Sequence, residues 1–115
     1  MNNKRRAPRK QPDKAVPVTD TMTGRVVGQL GNLSNEGMLL LAEHPMTDAA
    51  IYQLAFELRG PDGRVSPFEI GMQELWADPA TASGQVWIGF RFIDIAEGDR
   101  KRLGAWLQRA SDFAG

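Results

Sequence analysis

The sequence predicts a mainly β protein, a small six-stranded antiparallel β-barrel with one C-terminal α-helix. Six short runs rich in β-branched and aromatic residues follow one another, with turn-forming residues between them. Only the last segment of the chain changes to a helical period. A chain of 115 residues can bury one modest core and tolerates few open sheet edges, which favours a closed or nearly closed barrel.

The six predicted strands occupy most of residues 15–95. In chain order they are AVPVTD, GRVVGQLGNL, GMLLLAEH, AIYQLAFELRG, RVSPFEIGMQELWA and GQVWIGFRFIDI. Alternation predicts two apolar faces, one made of Tyr52, Leu54, Phe56 and Leu58 and the other of Val86, Ile88, Phe90 and Phe92. The segments GPDG (60–63) and DPATASG (78–84) have the composition of hairpin connections.

The C-terminal helix is predicted from residue 97 to about residue 110. Its apolar residues recur at i, i+3, i+4 and i+7, and these are Leu103, Trp106, Leu107 and Ala110. Asp99 near the start and Arg109 near the end suit the helix dipole, whereas Gly104 weakens the middle by about 1 kcal/mol relative to alanine. Ala96 stands where a serine or aspartate often caps a helix.

The net charge of zero hides an asymmetry along the chain. Residues 1–14 contain six basic side chains and one acidic one, while residues 15–115 contain eight basic and thirteen acidic, so the two segments carry net charges of +5 and −5. The basic segment contains Pro8 and Pro12 and almost no apolar residue. We therefore expect a flexible basic N-terminal arm over residues 1–14 and a folded domain over residues 15–115.

Several classes of function fit the composition poorly. The chain has no cysteine and one histidine, His44, which reads as an ordinary surface residue, and its carboxylates are scattered singly. We therefore expect neither a metal site nor catalysis. No apolar run approaches the ~20 residues of a membrane span, and no signal peptide follows the basic start, so we expect a cytoplasmic protein without membrane insertion. The tryptophans lie within apolar periods, which favours packing in the core or at its rim over stacking platforms.

Two short motifs remain to be explained. The basic arm contains RxxxR, formed by Arg5 and Arg9 with Arg6 beside them. The second motif, NxSxxG, is formed by Asn32, Ser34 and Gly37, where one predicted strand ends and the next begins. Asparagine, serine and glycine are also common in turns, because their side chains bond the local backbone or permit positive φ. We expect Ser34 to present an exposed hydroxyl and Gly37 to combine positive φ with close approach of a ligand.

RxxxR followed by NxSxxG resembles the PilZ domain family. The run VWIGFRFIDI and the following EGDRKRL are similar to the closing strand and terminal helix of that family, so the resemblance covers nearly the whole chain. It implies a six-stranded barrel that binds the bacterial second messenger cyclic di-GMP without turning it over. The ligand-binding residues that it implies are Arg5, Arg6, Arg9, Asn32, Ser34 and Gly37. No cofactor is implied beyond this ligand.

The residue types suit a dianion that carries two guanines. Arginine offers a planar fork of donors for phosphate and for a purine edge, and the asparagine and serine side chains give short directional hydrogen bonds. The ligand would order the arm, and an unidentified protein partner would receive the signal. Two alternatives stay open at this point. One is a PilZ-like adaptor that binds proteins but no nucleotide, and the other is a small barrel that binds RNA or DNA, which the acidic body makes unlikely.

Overall fold

The computed structural model describes residues 15–47, 50–60, 62–80 and 84–114 of the chain. Within these residues the chain forms six strands and one helix, which are β1 (Pro17–Asp20), β2 (Arg25–Leu33), β3 (Gly37–Ala42), β4 (Ile51–Arg59), β5 (Val65–Pro79), β6 (Val86–Asp94) and α1 (Glu97–Ala114). Each predicted element is present in the predicted order. The helix continues about one turn beyond its predicted end, so Arg109 lies inside α1 and not in its last turn.

The six strands form a closed barrel in the order β1-β2-β3-β6-β5-β4. Every neighbouring pair is antiparallel, and β1 closes the barrel by pairing with both β2 and β4. Closure gives each strand two hydrogen-bonded neighbours, which is how so short a β protein avoids open edges. The prediction of a mainly β fold, a six-stranded antiparallel barrel with a C-terminal helix, is confirmed.

The barrel core contains the apolar faces that the alternation predicted. Its members from β4 and β6 are Leu54, Phe56, Leu58, Val86, Ile88 and Phe90, while Tyr52 and Phe92 pack half-buried at its border. The helix adds Leu103 and Leu107, which are 0% and 4% exposed. Burying a leucine side chain is worth about 1.5–3 kcal/mol, so the apolar stripe is what holds α1 on the barrel. The side chain of Ala110, the last member of the predicted stripe, lies outside the described part.

The β4–β5 hairpin has the tight turn that GPDG predicts. The Gly60 amide donates to the Arg64 carbonyl at 2.8 Å and the Gly63 amide donates to the Gly60 carbonyl at 3.0 Å. Gly63 has a φ of +82°, a conformation that costs glycine nothing and other residues a good deal. The Asp62 carboxylate accepts a hydrogen bond from the Arg64 amide at 3.0 Å. The hairpin therefore holds Asp62 and Arg64 in defined positions beside α1.

Candidate ligand-binding site

Ser34 builds the turn between β2 and β3. Its hydroxyl accepts hydrogen bonds from the amides of Glu36 at 3.2 Å and Gly37 at 3.3 Å, and it donates to the Gly37 carbonyl at 3.4 Å. The side chain is 2% exposed. The expectation of an exposed hydroxyl was therefore wrong, because the turn folds over the side chain to satisfy its own amides.

Gly37 is glycine because of the neighbouring strand. It is buried at the start of β3, and its partner on β6 is Arg91. A Cβ atom at this position would collide with the Phe90 carbonyl oxygen. Its φ is not among the positive values, which occur among the described glycines at Gly24, Gly63 and Gly84. The expected positive φ was wrong, and the missing side chain is explained by the contact with β6.

Asn32 faces the outside of the barrel because β2 contains a bulge. The register with β3 shifts between Leu30 and Asn32, which leaves Gly31 as the extra residue. Leu30 and Leu33 are both buried in the core, so the two residues between them lie on the outer side. Asn32 is half-buried there. The bulge thus places an amide side chain on the barrel surface directly before the Ser34 turn.

An exposed indole lies in the same cross-strand row as Asn32. The row runs from Asn32 to Leu39 on β3, to Gly89 on β6 and to Trp76 on β5. A Cβ on Gly89 would collide with the Trp76 ring, so the indole lies over the glycine backbone. Trp76 is 46% exposed, so its ring packs over Gly89 at the rim and also presents surface to solvent. Trp87 and Trp106 are half-buried, as expected for rim positions.

Arg91 is a second residue that the motifs did not indicate. It lies opposite Gly37 on one side and opposite Gln73 on the other, and its guanidinium donates to Gln73 Oε1 at 3.4 Å. Its neighbours Phe90 and Phe92 point toward the core, so alternation along β6 could have indicated its outward direction. Its nearness to the motif depends on the pairing of β3 with β6, which no local pattern reveals.

The turn is bonded to β6 and lies close to α1. The Phe92 amide donates to the Glu36 carbonyl at 2.9 Å. On the helix side, a Cβ built on Gly104 would lie 3.9 Å from the Asn35 side-chain oxygen. The NxSxxG turn is thus enclosed by its own hydrogen bonds, by β6 and by α1. The other predicted binding residues, Arg5, Arg6 and Arg9, lie outside the described residues.

Among the described residues, no group of three or more histidine, cysteine, aspartate or glutamate side chains is arranged to hold a metal ion. His44 is exposed in the loop after β3. None of the described helical residues form a segment long and apolar enough to cross a membrane.

A family model described as the PilZ domain matches residues 3–109. This chain belongs to the PilZ domain family. Two solved structures have a similar fold. The Bacillus subtilis inhibitor of motility, MotI/DgrA, has a TM-score of 0.76 and 16% identity over 98% of this chain and 52% of its own. The PilZ domain of Escherichia coli YcgR with c-di-GMP has a TM-score of 0.72 and 17% identity over 97% of this chain and 95% of its own.

A longer YcgR structure, in complex with c-di-GMP, has a TM-score of 0.75 and 18% identity over 96% of this PilZ chain and 47% of its own. The chain therefore spans about half the length of the MotI and longer YcgR chains. None of the curated proteins matches it by sequence. At these identities, the structural likeness establishes the fold that the PilZ family match also indicates.

Proposed function

We propose that this PilZ domain is a cytoplasmic receptor for the bacterial second messenger cyclic di-GMP, which it binds without turnover. The observation that carries the proposal is the family match together with an NxSxxG turn held rigidly on the barrel surface. The fold is shared with a PilZ domain whose structure contains this ligand. No metal or other cofactor is part of the proposal.

The barrel contributes the rigid half of the proposed site. Asn32 provides an outward amide that can donate to and accept from a guanine edge or a phosphate. Trp76 offers an exposed ring for stacking, and Arg91 adds a cation beside Gly37. Ser34 and Gly37 act by shaping the turn and by letting β6 approach it. In this proposal, Trp76 and Arg91 extend the motif-derived set.

The basic arm contributes the other half. Arg5 and Arg9, with Arg6 beside them, would bind the phosphates and guanine faces through planar guanidinium forks. We propose that this contact orders residues 1–14 across the acidic barrel, and that the altered surface passes the signal to a protein partner. The chain spans only about half of MotI. We therefore propose a protein partner for this domain without assigning it the partner or the cellular output of MotI.

A protein-binding adaptor without nucleotide affinity is the second candidate. Ser34 satisfies the amides of its own turn, and Gly37 avoids a collision with Phe90. Both residues thus have a reason to be present even if nothing binds there. The presence of the NxSxxG motif is therefore, by itself, weak evidence for a receptor over an adaptor. Arginines in the RxxxR spacing, which belong to none of the described strands or the helix, favour the receptor.

Isothermal titration calorimetry separates these readings. The full chain is titrated with cyclic di-GMP, linear di-GMP, GTP and a short oligonucleotide at one salt concentration. The receptor proposal predicts saturable binding of cyclic di-GMP and at least tenfold weaker binding of the other three compounds. Absence of heat with all four would support the adaptor, whereas preference for the oligonucleotide would support the nucleic-acid alternative.

A further inference from the structure

A cleft of about 600 Å³ lies between the β4–β5 hairpin and α1. The hairpin contributes Asp62 and Arg64 to its lining, and the helix contributes Arg102, Trp106 and Arg109. None of these residues belongs to the candidate site at the β2–β3 turn. Small-molecule sites commonly occupy about 300–1,000 Å³, so this cleft has room for a small ligand.

Positive charge is concentrated at the cleft on an otherwise acidic barrel. Residues 15–115 carry eight basic and thirteen acidic side chains. Three of those eight line the cleft, namely Arg64, Arg102 and Arg109. Arg59 lies beside it, and its guanidinium donates a hydrogen bond to the Gly63 carbonyl at 3.0 Å. Among the described lining residues, Asp62 is the one carboxylate. With Asp99, which pairs with Arg102, the cleft and its immediate neighbours hold four arginines against two aspartates, a net positive charge on an acidic body.

Two residues of α1 are held in place before any ligand arrives. The Arg102 guanidinium lies 4.4 Å from the centre of the Phe68 ring, and its Nη2 donates to the Pro67 carbonyl at 2.7 Å and to Asp99 at 2.6 Å. The Trp106 indole N–H donates to the Arg59 carbonyl at 3.2 Å. A preordered wall reduces the entropy lost on binding.

The exposed Asp62 carboxylate lies at the mouth of the cleft, where it accepts a hydrogen bond from the Arg64 amide. Its pKa is lowered chiefly by the hydrogen bond from the Arg64 amide, and the charges of Arg64 and Arg109 lower it further, while partial desolvation acts in the opposite direction. Arg64 Nε lies 3.7 Å from Asp62 Oδ2, and both side chains are more than half exposed. A loose surface pair of this kind holds the Arg64 guanidinium weakly, so a competing anion can replace Asp62.

We propose that the cleft between the β4–β5 hairpin and α1 is a second binding site, which takes a small ligand through a phosphate or diphosphate group. Guanidinium groups match the oxygens of a phosphate through paired, charge-assisted hydrogen bonds. Arg64 and Arg109 supply this contact, while Trp106 and Arg102, whose charge is balanced by Asp99, form the preordered wall. Asp62 competes with the ligand for Arg64, so its negative charge weakens binding.

Nuclear magnetic resonance titration with inorganic pyrophosphate, at constant ionic strength, tests the site on the full chain. We expect saturable shifts of the Trp106 indole, the Arg109 Nε–H and the Gly63 amide. The double variant Arg64→Ala/Arg109→Ala should bind at least tenfold more weakly. Asp62→Asn, which keeps an oxygen for the Arg64 amide, should bind several-fold more tightly. Arg25→Ala and Arg100→Ala, which remove exposed arginines outside the cleft lining, should match the wild type.

Three results would overturn the proposal. The first is a set of shifts that spreads over the barrel and never saturates, and the second is equal affinity in the double variant and the wild type. The third is binding of glutarate, a dicarboxylate, with the same affinity as pyrophosphate. That result would show that the cleft binds anions in general and is not specific for phosphate. The variants change exposed side chains, so retained spectral dispersion confirms that each is folded.

Discussion

Ser34 has a structural role that can be separated from any role in binding. Its buried hydroxyl serves two amides and one carbonyl of the β2–β3 turn. We predict that Ser34→Ala lowers the free energy of unfolding of the ligand-free protein by about 2 kcal/mol, because two amides lose their partner. Urea denaturation measures this loss. Ser66→Ala on β5 serves as the control and should change stability by less than about 0.5 kcal/mol. Equal stability of Ser34→Ala and wild type would contradict this role.

Gly37 and Gly98 allow the effect of one added methyl group on stability to be compared at a crowded and at an open position. At Gly37 the added Cβ meets the Phe90 carbonyl oxygen, whereas at Gly98, in the first turn of α1, it meets nothing within 4 Å. Gly37→Ala should cost about 2–3 kcal/mol of unfolding free energy through forced separation of β3 and β6. Gly98→Ala should add about 0.5 kcal/mol through helix propensity. Thermal and urea unfolding measure both, and a harmless Gly37→Ala would show that the two strands can move apart.

Arginine at positions 5 and 9 is predicted to act through its shape as well as its charge. Arg5→Lys and Arg9→Lys keep the positive charge but lose the planar fork. Each should weaken cyclic di-GMP binding at least tenfold, about 1.4 kcal/mol, by calorimetry. Arg25→Lys, on an exposed β2 position, is the matched control and should leave affinity unchanged. Lysine variants that bind as tightly as wild type would reduce the arm to diffuse electrostatic attraction.

At the scale of an element, α1 begins without a side-chain cap. The Arg100 amide donates to the Ala96 carbonyl at 2.9 Å, which makes Ala96 the residue before the first helical turn. Ala96→Ser should stabilise the protein by about 1 kcal/mol by giving an early amide a partner. The same change at Ala105, exposed in mid-helix, should cost about 0.5 kcal/mol. Effects of the same sign at both positions, measured by urea denaturation, would exclude capping as the cause.

The elements themselves were predictable because their signals are local. Period-two alternation identified the inward faces of β4 and β6, and the i, i+3, i+4 stripe identified α1. The bulges were not predictable. Register shifts at Leu30/Asn32 and at Glu74/Trp76 turn Asn32 and Trp76 outward. A bulge is defined by the partner strand, and a single strand read alone does not show it.

At the scale of the whole molecule, the proposed switch depends on two oppositely charged parts. Residues 1–14 carry +5 and residues 15–115 carry −5, so removal of the arm should leave a folded barrel that binds cyclic di-GMP more weakly. Ordering each residue of the arm costs on the order of 1–2 kcal/mol, which the arginine contacts must exceed. Backbone order parameters for residues 4–10 should be low in the free protein and rise with ligand. An arm that is rigid before ligand is added, or mobile at saturation, would refute the switch.

The sequence by itself determined which segments become strands and helix, which of their faces are apolar and which family the chain resembles. These depend on periodicity and on motifs within about ten consecutive residues. The tertiary structure alone decided which contacts Ser34 and Gly37 make. Arg91 lies beside Gly37 because β3 pairs with β6, and Trp76 lies three strands from Asn32 in one cross-strand row because β6 also pairs with β5. The arginine cleft likewise exists only because α1 packs beside a hairpin that lies some forty residues earlier. Long-range strand register and helix docking create these contacts, and no local pattern in the chain contains them.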